Sequence, residues 1–122
     1  MSAVVMPGGP VADAVFADLA PRIDALRASG RPPGLATLLI GDDEPSSRYV
    51  GMKMRKAEEL GCHSPHVHLH DDATTAEAIA AVQRLNADPA VDAMLDSIWQ
   101  SAPLALPACS LNLHFRRMTW PY

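Results

Sequence analysis

Apolar residues at Val11, Val15, Phe16, Leu19, Ile23 and Leu26 recur at helical spacing, and Gly30, Pro32 and Pro33 close that stretch. "LATLLI", 35–40, is a short apolar run between Gly34 and Gly41, the length and flanks of a buried strand. A charged helix follows Asp42 and Asp43, with Pro45 in its first turn and Gly61 as its stop. "HVHLH", 66–70, alternates strictly and predicts a second strand. Thr74 and Glu77 of "TTAE" have capping-box spacing for a helix carrying Ile79, Val82 and Leu85, ended by "NADP". "AVDAML", 90–95, predicts a third strand.

Strands alternating with helices imply an α/β fold: a three-layer arrangement with a parallel sheet, right-handed crossovers and an added N-terminal helix. Such sheets collect ligands at the carboxyl ends of their strands. The turn from Gly41 to Glu44 lies at such an end.

The helix after that turn has an unusual polar set. With Ser46 as zero, a wheel of about 100° per residue puts Tyr49 at about −60°, Leu60 at about −40° and Lys53 at about −20°. Ala57 falls at about +20° and Val50 at about +40°, while Arg48, Arg55, Glu58 and Glu59 take the other side. Lys53 is therefore expected on the buried stripe. A lysine there either snorkels to water along an apolar surface or serves acid–base chemistry. Ser46 and Tyr49 share its face, so a hydroxyl, a phenol and an amine line one side. That set suits a flat substrate, stacked on the ring while the amine moves a proton.

Composition narrows the field. The 122 residues are 48% hydrophobic and 20% charged, a soluble globular balance with length for one domain. A net charge of −4 argues against a nucleic-acid partner or a polybasic membrane anchor. No apolar run reaches spanning length, and Asp13 and Asp18 interrupt the N-terminal apolar residues, so neither a membrane segment nor a signal peptide is expected. Cys62 and Cys109 match no metal or redox spacing and read as free thiols of a cytoplasmic protein. His66, His68 and His70 would share one side of a strand, with backbones about 6.6 Å apart at successive positions. Zinc needs nitrogens converging to roughly 2 Å, so a solvated strand face is expected and no metal site. Asp42 and Asp43 after a strand also allow a receiver-like phosphoacceptor, against the simpler reading of a turn and helix cap.

Ser46, Tyr49 and Lys53 within "PGLATLLIGDDEPSSRYVGMKMRKAEELG" resemble the signature of the bifunctional methylenetetrahydrofolate dehydrogenase/methenyltetrahydrofolate cyclohydrolase family. "LNADPAVDAML", 85–95, resembles that family's next landmark at the expected distance. The resemblance implies a catalytic-type domain over residues 1–95, acting on tetrahydrofolate derivatives, with Tyr49 stacking on the folate and Lys53 assisting proton transfer. It also implies a homodimer and NADP (or NAD), held by a dinucleotide-binding domain that has no counterpart here. A non-catalytic folate-binding or subunit-pairing remnant is the alternative. The family continues with a Val-Gln-Leu-Pro-type segment, whose glutamine partners the lysine; Asp96 and Ser97 stand at the first two places. Residues 96–122 hold both tryptophans, follow neither helical nor strand period, and are expected to be an out-of-frame tail without order.

Overall fold

The computed structural model describes residues 4–98 and 112–115. In chain order the elements are α1 (Gly8–Ala28), β1 (Leu35–Ile40), α2 (Glu44–Glu59), β2 (His66–Leu69), α3 (Thr75–Ala87), β3 (Ala93–Ile98) and β4 (Asn112–Phe115). The sheet order is β2-β1-β3-β4. β1 pairs parallel with β2 on one side and with β3 on the other, in registers that include Leu39↔His68 and Leu39↔Ser97.

β1 is the centre of the molecule because it has strands on both sides and helices over both faces. Ala36, Thr37 and Ile40 are fully shielded, and Leu38 and Leu39 nearly so. Side chains alternate across a strand, so the two faces gather different partners. Ala36, Leu38, Ile40 and Met94 pack with Ala78, Ala81 and Leu85 of α3. Leu39 and Leu95 lie on the opposite face; Ile23 of α1 and Val50 and Ala57 of α2 are buried outside the α3 cluster. Right-handed crossovers leaving β1 in one direction and β2 in the other require this split.

The helix ends follow local chemistry. Asp43 caps α2, its Oδ2 accepting from the Ser46 amide at 2.9 Å, and Pro45 sits in the first turn. Gly61, at φ +83°, ends the helix in a conformation that glycine adopts without steric cost. At α3 the capping box forms: the Thr74 amide donates to Glu77 Oε2 at 2.8 Å, and the Glu77 amide donates to Thr74 Oγ1 at 3.3 Å. The bond from the Thr74 amide, and then one from the Thr74 hydroxyl to the same Oε2 at 2.8 Å, hold the Glu77 carboxyl below its usual range.

β1 and β3 meet through a tight backbone contact. A Cβ on Gly34 would lie 1.8 Å from the Ala90 carbonyl oxygen. Asp92 locks this junction, its Oδ2 accepting from the Gly34 amide at 2.9 Å and its Oδ1 from Arg31 at 2.6 Å. The amides of Asp92 and Ala93 in turn donate to the Gly34 carbonyl. The "NADPAVD" landmark is thus the clasp between the central strand and its neighbour.

Two features depart from the sequence reading. β3 runs to Ile98, past the expected end at Leu95, and Asn112–Phe115 adds an antiparallel strand beside it. A ladder is made by backbone groups, so Asp96 and Ser97 continue it opposite Leu38 and Leu39 despite their unstrandlike side chains. At these positions the expected tail is instead part of the sheet; Trp99, Cys109, Trp120 and the rest of that stretch lie outside the described residues. No helix among the described residues is long and apolar enough to cross a membrane.

Gly34→Ala should cost about 3 kcal/mol, because backbone on both sides must move. Urea unfolding followed by circular dichroism will show this as a lower midpoint; an unchanged midpoint would mean the junction is not tight in solution. Asp96 is buried, 6% exposed, on the apolar face beside Leu38. Replacing a buried carboxylate by an apolar residue of similar size is often stabilising even when the carboxylate has a partner. Asp96→Val should therefore raise the thermal midpoint, and a fall would show that its interactions outweigh desolvation.

Candidate active site

Ser46, Tyr49 and Lys53 stand on the first three turns of α2, above the carboxyl end of β1. Ser46 and Tyr49 are half-buried and Lys53 is exposed. This corrects the expectation that Lys53 lies within the buried stripe. The buried side of α2 is centred on Val50 and Ala57, with Met54 beside them, so Lys53 falls on the margin. Long helical side chains lean back toward the N-terminus, and Lys53 accordingly reaches the residue four places earlier. Its Nζ lies 5.2 Å from the centroid of the Tyr49 ring, within cation–π range. Phenol and amine form one surface, open on the side away from the sheet.

Ser97 is the residue that the sequence resemblance sets in place of a glutamine. Register with Leu39 puts it on α2's side of the sheet, near the carboxyl end of β3, half-buried. The place is on the right face for a partner of the α2 side chains, but a serine has neither the reach nor the amide of a glutamine.

The acidic pair after β1 is consumed locally. Asp43 is the helix cap, and Asp42 approaches His68 Nε2 at 3.2 Å and His70 Nδ1 at 3.6 Å. His68 also meets the Gly41 carbonyl at 3.0 Å, tying the edge strand β2 to the turn that launches α2. His66 Nδ1 is 2.8 Å from the buried Thr37 hydroxyl. Partial burial, then the neighbouring His68, lowers the His66 pKa below the usual histidine value. Successive rings on this strand stand 6.3 and 6.0 Å apart, and no group of three metal donors converges among the described residues.

A dinucleotide does not fit the described residues. The turn after β1 carries Asp42, Asp43 and Glu44, and the turn after β2 carries Asp71 and Asp72. A pyrophosphate needs glycine-rich backbone and a free helix N-terminus, and here it would meet carboxylates.

The family model for the tetrahydrofolate dehydrogenase/cyclohydrolase catalytic domain matches residues 6–98. The chain belongs to this family. Bifunctional protein FolD 1 of Salinispora tropica is 46% identical over 90 residues, covering 74% of this chain and 29% of that protein. Bifunctional protein FolD 2 of Frankia alni is 46% identical over 96 residues, 78% of this chain and 33% of its own length. Among solved structures, the Trypanosoma brucei methylenetetrahydrofolate dehydrogenase-cyclohydrolase, complexed with NADP cofactor and inhibitor, superposes with a TM-score of 0.76 at 31% identity. It covers 81% of this chain, and 34% of that enzyme is matched. The Campylobacter jejuni enzyme FolD gives a TM-score of 0.72 at 29% identity, over 76% of this chain and 33% of its own. The chain thus spans about a third of the length of the relatives it matches.

The His66 environment yields a pH dependence. A histidine whose folded pKa lies below its unfolded value contributes stability that is present above about pH 6.5 and lost as the pH falls through the folded pKa. The urea midpoint should drop modestly from pH 8 to pH 5, and His66→Gln should flatten that slope. A wild-type midpoint that rises on acidification would contradict the assignment.

Proposed function

We propose that this chain supplies the folate-binding wall for one-carbon interconversion. The reactions are oxidation of 5,10-methylenetetrahydrofolate to methenyltetrahydrofolate and hydrolysis of the latter to 10-formyltetrahydrofolate, which feeds purine and formyl-group synthesis in the cytoplasm. The observation that carries this reading is the Tyr49–Lys53 surface, uncovered at the carboxyl edge of the sheet in a chain of this family.

The roles follow from the chemistry of each group. Tyr49 offers a flat face for the aromatic rings of the folate, and the Ser46 hydroxyl lines the same margin. In the hydrolytic step water adds to the carbon of the methenyl bridge and gives up a proton. The hydroxyl now on that carbon gives up its proton as its oxygen forms the carbonyl, and the bond from carbon to N5 breaks as N5 takes a proton, leaving the formyl group on N10 with one proton released overall. Lys53, within reach of a ligand stacked on Tyr49, moves these protons. The oxidative step transfers a hydride to NADP (or NAD), and no described residue of this chain holds that cofactor. It would sit on the second domain of a complete enzyme, acting as a homodimer, where the protein's part is to orient the two reactants.

Two outcomes are expected. The purified chain alone should show no cofactor-dependent oxidation of methylenetetrahydrofolate above a Lys53→Met control. Fused to the remaining two-thirds of the Salinispora tropica relative, it should hydrolyse methenyltetrahydrofolate. Lys53→Met in that fusion should abolish hydrolysis while folate still binds, and Ser97→Gln should raise it. Unchanged hydrolysis in the Lys53→Met fusion would reduce Lys53 to a solvated surface residue. Folate binding without hydrolysis in the wild-type fusion would favour a binding remnant.

A further inference from the structure

Tyr49 has two sides. On one its helix neighbours are Ser46 and Lys53; on the other lies a depression of about 380 Å³ walled by Glu44, Pro45, Arg48, Tyr49 and Met52. All five belong to the first turns of α2. The wall runs from the Tyr49 ring across the apolar surface of Pro45 and Met52 to one cation, Arg48. The size is at the lower end for small-molecule sites, and a largely apolar lining ending in one cation, paired only to the exposed Glu44 carboxylate among the described residues, suits a ligand that is aromatic at one end and able to offer a competing carboxylate at the other.

We infer that Arg48 is a specificity-determining residue that binds the glutamyl carboxylates of the folate tail. This rests on the folate reading of Tyr49 above. A pteridine stacked with its reacting end toward Lys53 must send its aminobenzoyl and glutamyl portions the other way, and that way leads over Met52 to Arg48. Among the described residues Arg48 is held by Glu44 alone, its guanidinium 2.6 Å from Oε1, and the two side chains are 76% and 82% exposed. An exposed ion pair of neighbouring helical turns is weak, so an incoming carboxylate exchanges with Glu44 at little cost. The planar guanidinium then engages the ligand carboxylate in two parallel hydrogen bonds. Glu44 competes with the tail for Arg48 and, once released, repels it, so the ion pair sets how far Arg48 can favour carboxylate-bearing ligands.

The experiment titrates this chain with tetrahydropteroate, which lacks glutamate, and with tetrahydrofolate carrying one or three glutamyl residues. The triglutamate should bind about fivefold tighter than tetrahydropteroate, with the ratio shrinking as salt is added. Arg48→Met, which keeps an apolar stem, should remove the ratio and leave tetrahydropteroate binding unchanged. Glu44→Gln should widen the ratio, and Tyr49→Ala should weaken all three ligands alike. A ratio that survives in Arg48→Met, or no ratio in the wild type, overturns the inference while the folate reading stands. Failure of all three ligands to bind overturns both.

Discussion

The contact between Gly34 and the Ala90 carbonyl sets the position of everything that follows. Only a residue without a Cβ lets the start of β1 lie this close to the chain entering β3, and Asp92 then closes the junction with hydrogen bonds to the Gly34 amide and to Arg31. Because β3 is thereby placed on one side of β1, β2 takes the other, and the crossovers leave in opposite directions. The carboxyl end of β1 becomes the point where the sheet's order reverses. Open parallel sheets bind ligands at such points, since the diverging helices leave a crevice there. The start of α2 lies at this crevice as a direct result.

How α2 is seated decides which of its side chains can act. Val50 and Ala57 anchor it against the sheet face carrying Leu39 and Leu95, and Asp43 pins its first turn. Anchoring through small and medium apolar groups leaves one margin of the helix uncommitted. Ser46, Tyr49 and Lys53 occupy that margin, with Arg48 and Met52 farther round. A helix held on one side and open on the other makes one wall of a cleft. The relatives it matches are about three times as long.

Much of this was legible in the residues. β1, the capping box of α3 and the Gly61 stop are encoded within a few positions of where they act, so local rules suffice. Ser46, Tyr49 and Lys53 were found because helical spacing alone brings them together. The wheel misplaced the centre of burial, which depends on which helix face meets the sheet, and so it put Lys53 inside. Arg48 was assigned to the solvent side, where it does lie; its share in the depression beside Tyr49 depends on side-chain directions that spacing does not show. The extension of β3 through Asp96 and Ser97 was hidden because backbone pairing with β1 overrides their side-chain preferences. The part of "NADPAVD" in locking Gly34 is a contact 58 residues apart in sequence, beyond any local pattern.

If the open margin of α2 is a folate surface, methenyltetrahydrofolate added to the protein will move the backbone amide chemical shifts of that margin. Concentration-dependent shifts are expected at Ser46, Arg48, Tyr49, Met52 and Lys53, with α3 unaffected and the response lost in Tyr49→Ala. Shifts confined to the histidine edge at His66–His70, or a titration that moves no α2 resonance, would contradict it.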